Sequence, residues 1–176
     1  MKVIAVLGDS SSGKSLTLKF LIKYVVEALF VLDVSGAFFL PLIPQHAKRC
    51  TTFIDAAKWG DFLARLRIEE TSKSVTVADV FVKLNWNGKT VGIFSVGDTK
   101  EALKAKMDQL AQCDVIVCPT HNKPEMIALL SHNASEGLLL FEKEKVSKSS
   151  EWMACINQNK LVAKKLFHVL MHEMCR

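Results

Sequence analysis

Lys2-Val3-Ile4-Ala5-Val6-Leu7-Gly8-Asp9-Ser10-Ser11-Ser12-Gly13-Lys14-Ser15-Leu16-Thr17-Leu18 follows the first methionine of the chain. Residues 2–7 are an apolar run of strand length. Gly8 and Gly13 then bound a polar, serine-rich loop. From Ser15 onward Leu16, Leu18, Phe20, Leu21, Tyr24, Val25 and Leu29 largely keep helical spacing. The stretch therefore reads as buried strand, tight loop, helix, which is the building unit of an α/β sheet. Gly8 and Gly13 admit backbone angles and close approaches that a Cβ forbids. The amides between them converge at the positive end of the following helix dipole, which makes a nest for an anion.

Outward from this unit the chain keeps alternating. Residues 30–34 read as a second strand and residues 53–68 as a helix with Ile54, Ala57, Phe62 and Leu66 inward. Residues 75–84 alternate, Asn87-Gly88 is a two-residue hairpin signal, and residues 90–96 are the partner strand. A lysine-faced helix is expected over 100–111, a short buried strand over 114–118, a helix over 124–130 and a strand over 138–141. Residues 142–150 form a charged, serine-rich surface loop, and a closing amphipathic helix covers 161–174. With no repeat and no linker, residues 1–176 make a single domain. Its fold class is α/β, a three-layer arrangement of a mostly parallel sheet with helices on both faces. The hairpin adds one antiparallel strand at or near an edge.

Gly8 to Ser15 matches G-x-x-x-x-G-K-[ST] at every required position, in the strand-to-helix setting that the motif demands. By these residues the chain resembles the P-loop NTPases. The resemblance implies a nucleoside triphosphate with Mg²⁺, cradled by Gly8, Asp9, Ser10, Ser11, Ser12, Gly13, Lys14, Ser15, Leu16 and Thr17. Lys14 would serve the β- and γ-phosphates and Ser15 the metal, while the amides of Leu16 and Thr17 reach the α-phosphate. Lys14 is expected to stand exposed in an empty loop. The superfamily also places an acidic residue at the end of the strand beside the first one, where it serves magnesium. Asp98, after the apolar Val91-Gly92-Ile93-Phe94-Ser95-Val96-Gly97, matches that role, giving Lys14 and Asp98 as catalytic residues and Ser15 and Asp98 as metal ligands. Asp33 and Asp79 are weaker competitors, and a helix-capping aspartate is the plain alternative for Asp98.

Within the superfamily the hairpin and Asn122-Lys123-Pro124-Glu125 look similar to small GTPases, whose base-reading motif is N-K-x-D. Glu125 in place of Asp, the missing glycine after Asp98-Thr99-Lys100 and the short spacing from Asp98 to Asn122 argue for ATP instead. A nucleoside or nucleotide kinase suits the size and fold order. Such enzymes generally close an arginine-bearing lid, but residues 115–160 contain no arginine, leaving Lys123, Lys143 or Lys145 as substitutes that lack the bidentate fork. Arg65 and Arg67 beside Glu69 and Glu70 can line an acceptor site or simply face solvent. The chain also resembles small ATP-binding proteins of bacteria and phages, in which glycine-aspartate ends one strand and cysteine-aspartate precedes the next, as in Gly97-Asp98 and Cys113-Asp114. The expectation is a Mg-ATP-binding ATPase acting as a switch or accessory subunit. Small-molecule kinase is the alternative, and a protein partner or a small acceptor is the open choice of partner.

Composition narrows the field. The 176 residues are 49% hydrophobic and 23% charged, a globular balance. The net charge of +5 rests on lysine, with only Arg49, Arg65, Arg67 and Arg176 as guanidinium groups, which weighs against nucleic acid as a partner. Five cysteines without paired spacing, and no leader-like start, point to reduced thiols in the cytoplasm. The apolar run 29–43 is broken by Asp33, Gly36 and Pro41 and falls short of the about 20 residues that a membrane span needs. His168, His172 and Cys175 share helical spacing but read as an amphipathic face rather than a metal site. Cys118 with His121 reads as strand packing rather than a catalytic thiol, with Thr120, His121 and Asn122 beside the nucleotide or its lid. Trp59, Trp86 and Trp152 read as packing residues.

Overall fold

A computed structural model describes residues 1–10, 12–36, 81–86, 88–143 and 152–175. In chain order these form β1 (Lys2–Leu7), α1 (Lys14–Gly36), β2 (Phe81–Trp86), β3 (Lys89–Phe94), α2 (Lys100–Gln109), β4 (Val115–Thr120), α3 (Pro124–Asn133), β5 (Leu138–Glu142) and α4 (Trp152–Met174). The expected helix over 53–68, with Arg65 and Arg67, lies outside the described residues. So do Asp79, Ser11, Asn87 and the loop 144–150 that holds Lys145.

The sheet runs β2-β3-β4-β1-β5. β1 pairs in parallel with β4 and with β5, β3 pairs in parallel with β4, and only β2–β3 is antiparallel. Trp86 faces Lys89 across the two-residue turn, where Gly88 takes φ 78°, a conformation that glycine adopts without strain. β1 is buried along Val3–Leu7 because both sheet faces are covered, so its side chains do not alternate between core and water. Ile4 and Val6 pack with Leu18, Leu21 and Ile22 of α1 and with Ile156, Leu166 and Leu170 of α4. Val3 and Ala5 point the other way, against Leu103 and Met107 of α2 and Met126 and Leu130 of α3. The molecule is thus α/β with a mixed, mostly parallel five-stranded sheet between two helical layers.

Three expectations change. Residues 30–34 are not a strand: α1 runs on to Gly36. A short apolar run has no period that separates strand from helix, and extending an existing helix avoids the cost of a new nucleus. The strand leading to Asp98 is not beside β1 either, because β4 lies between them. β4 is buried on both faces and matches β1 over six paired positions, from Lys2↔Val115 to Leu7↔Thr120. The closing helix also begins earlier than its periodicity suggests, at Trp152. Among the described residues no helix is long and apolar enough to cross a membrane.

Candidate functional site

β1, β3, β4 and β5 run parallel, so their C-terminal ends share one edge of the sheet. Gly8 follows β1, Asp98 lies four residues beyond β3, His121 follows β4 and Lys143 follows β5. β1 and β4 are neighbours, yet the helices after them, α1 and α3, pack on opposite faces. Open α/β sheets hold ligands at such a parting of strand ends.

The loop after β1 is fastened from several directions. Gly8 N–H donates to the Thr120 carbonyl at 3.2 Å, and Ser12 N–H donates to the Asp9 carbonyl at 3.2 Å. Gly13 has φ +85°, and a Cβ there would stand 2.7 Å from Asn159 Oδ1. At Gly8 a Cβ would stand 2.7 Å from Ser12 Oγ and 3.0 Å from the Lys143 carbonyl. Both loop glycines are therefore required by close approach, and Gly13 by backbone angle as well. The first bond of α1 runs from Thr17 N–H to the Gly13 carbonyl at 2.9 Å. Lys14, Ser15 and Leu16 accordingly lie in the turn whose amides precede the helical ladder.

Lys14 does not stand in solvent as expected. The residue is buried, and its ammonium donates to the carbonyls of Gly8 and Asp9, each at 2.7 Å. The physical reason is local: a desolvated ammonium needs acceptors, and the bent loop presents two within reach of the stem. Burial lowers the Lys14 pKa, while the carboxylates of Asp98 and Asp9 act to raise it. Asp98 is thus near enough to feel the lysine charge, although its strand is not adjacent to β1.

Lys143 is also buried, and its ammonium donates to the Ser12 carbonyl. Burial lowers its pKa, Cys155 raises it and the Lys14 charge lowers it further. Among the described residues, no carboxylate stands within ion-pair distance of either ammonium. Ser12 Oγ, buried in the same loop, has no hydrogen-bond partner among the described residues.

On the β3 side, Ser15 Oγ donates to the Ser95 carbonyl at 3.4 Å. Gly97 lies so close to β4 that a Cβ would meet the Pro119 carbonyl at 2.8 Å. Asp98 projects from there with 91% of its side chain exposed, and Oδ1 is 3.2 Å from His121 Nε2. The helix cap is supplied by Thr99, whose hydroxyl accepts from Ala102 N–H at 3.2 Å, so Asp98 does not serve as the cap. Ser15 and Asp98 offer hard oxygen donors of the kind magnesium takes, and the bond to Ser95 turns the Ser15 hydroxyl toward the segment that carries Asp98.

Thr17 Oγ1 donates to Asn159 Oδ1 at 2.9 Å in a buried contact, and Asn159 Nδ2 donates to the Cys155 carbonyl at 2.7 Å. The Thr17 side chain is therefore committed to α4. Sequence reasoning missed Asn159 and gave Lys143 only as a substitute for a lid arginine. A signal existed for each. Asn159 interrupts the otherwise apolar inner stripe Ile156, Ala163, Leu166 and Leu170, and Lys143 directly follows a strand parallel to β1. Cys118 is fully buried with its thiol pushed up to about 12, an inert packing group. Trp86 is core, stacked on Phe167 at 6.2 Å. His168 and His172 face solvent from α4, and among the described residues no group of three or more His, Cys, Asp and Glu side chains is placed to hold a metal ion. Glu125 occupies the first turn of α3, where a carboxylate suits the helix dipole whatever its neighbours bind.

Comparison with protein-family models, with curated proteins and with solved structures finds no match for this chain.

Proposed function

We propose that the chain binds Mg-ATP in the loop of residues 8–15 and hydrolyses it slowly, as a switch or accessory ATPase of the P-loop type. One observation carries the reading. Two buried lysines, Lys14 and Lys143, rest their ammonium groups on main-chain carbonyls of one glycine-bounded loop, with no carboxylate of the described residues within ion-pair distance of either. Buried charge with no counter-ion in contact is unfavourable, and a polyphosphate supplies contacting negative charge. Lys14 exchanges loop carbonyls for phosphate oxygens, and the amides opening α1 add dipoles of the right sign. Ser15 and Asp98 would hold magnesium, which when bound neutralises phosphate charge and orients the chain of oxygens. Asp98 and His121, paired on the open edge, can hold or receive a proton there.

That same open pair favours a second reading, phosphoryl transfer to a small hydroxyl-bearing acceptor, with Asp98 as the base. Calorimetric titration with Mg-ATP tests the shared premise: saturable one-site binding is expected, and no heat at millimolar nucleotide refutes it. Turnover assays then separate the readings. Stimulation by a nucleoside, nucleotide or other small alcohol with a phosphorylated product means a kinase, whereas release of inorganic phosphate that responds only to a protein partner means a switch.

A further inference from the structure

We infer that Lys143, at the end of β5, is a second cation for the terminal phosphates and gives the site its preference for tri- over diphosphate. The inference rests on the proposed nucleotide site. β5 runs parallel to β1 with Leu7 level with Glu142, so the next residue falls beside the start of the loop. The Lys143 amide donates to the Leu7 carbonyl at 2.8 Å, continuing the ladder one residue past the strand. From that anchor the side chain enters the loop, with 4% of the residue exposed, and ends on the Ser12 carbonyl.

A lysine at the end of an edge strand normally keeps its ammonium in water even where its stem is covered. Here it gives up hydration next to a like charge, and both burial and Lys14 disfavour the ammonium. Its one acceptor among the described residues, a neutral carbonyl, is a poor return for that desolvation. Ser12 itself contributes the third feature: its hydroxyl, 4% exposed at the residue level, is buried without a partner among the described residues. Two ammonium groups and an unused hydroxyl on one loop form a donor set that suits a multiply charged anion better than a singly charged one. Each additional phosphate increases what a second lysine contributes, so loss of Lys143 falls hardest on the triphosphate.

The test is the dissociation constant of Mg-ATP and of Mg-ADP for the wild-type chain, Lys143→Met and Lys143→Arg. Lys143→Met keeps the stem and is expected to weaken ATP roughly 10- to 100-fold, the size of a lost charge-assisted hydrogen bond, and ADP by less than about threefold. Lys143→Arg is expected to restore most of the difference. An unchanged ATP affinity, or equal losses for both nucleotides, overturns the inference, because a lysine that merely props the loop weakens both alike. A wild-type chain that binds neither nucleotide defeats the nucleotide site itself, a separate result. Should the variants not fold, side-chain ¹⁵N spectra of lysine-labelled wild type decide: Mg-ATP is expected to move the Nζ signals of two buried lysines, and movement of only one overturns the inference.

Discussion

The two edges of the sheet treat charge in opposite ways. At the edge where β1, β3, β4 and β5 begin, cations meet carboxylates. The Met1 amino terminus pairs with Glu136 at 2.8 Å, and Lys2 pairs with Glu173 at 2.6 Å. Asp114 accepts from the amide and hydroxyl of Thr90 at 2.6 and 2.9 Å. At the edge where those strands end, Lys14 and Lys143 sit buried on carbonyls, the Ser12 hydroxyl has no partner among the described residues, and Asp98 lies open beside His121. The first pattern is that of a scaffold, with charges satisfied internally. The second holds its cations on neutral carbonyls away from any carboxylate contact among the described residues, the arrangement that the proposed binding edge requires.

The sharpest way to break this comparison is Lys14→Met. Removing a charge-assisted contact in a water-shielded site is expected to weaken Mg-ATP roughly 100-fold, with thermal stability unchanged or raised, since a desolvated ammonium is removed. Calorimetry and a melting curve on the same sample read both quantities, and full ATP affinity in this variant would remove the site.

Next in size is Gly97→Ala. The new Cβ meets a backbone oxygen, Pro119 O, at 2.8 Å and cannot be relieved by a side-chain rotation. A loss of about 1–3 kcal/mol in urea unfolding is expected, with weaker ATP binding as Asp98 is displaced. Gly92→Ala is the scaffold counterpart. Its Cβ meets the buried Leu110 side chain, at 2.6 and 2.9 Å from the methyl carbons, which can shift more readily than a backbone oxygen. A smaller destabilisation with ATP affinity intact is expected, and equal effects on binding from the two glycines would erase the distinction between the edges.

The buried Cys118 gives a pH test independent of ligand. Its pKa is about 12 in the fold, against about 8.5 in the unfolded chain. The folded state therefore retains a proton that the unfolded state releases, and stability falls as pH rises above about 8.5. By pH 10 the loss is roughly 2 kcal/mol. Urea unfolding at pH 8 and pH 10 should show wild type losing that much more than Cys118→Ala; parallel losses would mean the thiol is not shielded.

The smallest effect belongs to Lys2→Met at the scaffold edge. Loss of its partly buried pair with Glu173 is expected to cost up to about 1 kcal/mol in the melting transition and to leave ATP binding unchanged. A change in nucleotide affinity there would show that the two edges are coupled.

Much of this arrangement was legible along the chain because it depends on near neighbours. The hairpin turn could be read from Asn87-Gly88, and Trp86 duly pairs with Lys89. Strand-loop-helix at residues 2–18 was readable from apolar spacing and two glycines, and Gly13 takes the positive φ that such a loop requires. Errors fall where a segment's own residues leave the choice open. Residues 30–34 join α1 because a short apolar run fits either element and the neighbouring helix decides.

Local order therefore determined which segment makes the candidate site: the loop from Gly8 to Ser15, between a buried strand and a helix. Tertiary structure alone decided what surrounds it. β4 separates Asp98 from β1, Asn159 fastens Thr17 from the last helix, and Lys143 arrives from β5 to share the loop with a buried Lys14. The physical reason is that turns and helix starts follow from steric and hydrogen-bonding preferences over a few residues, whereas strand adjacency and burial depth arise from pairing between segments distant in sequence, which no local period records.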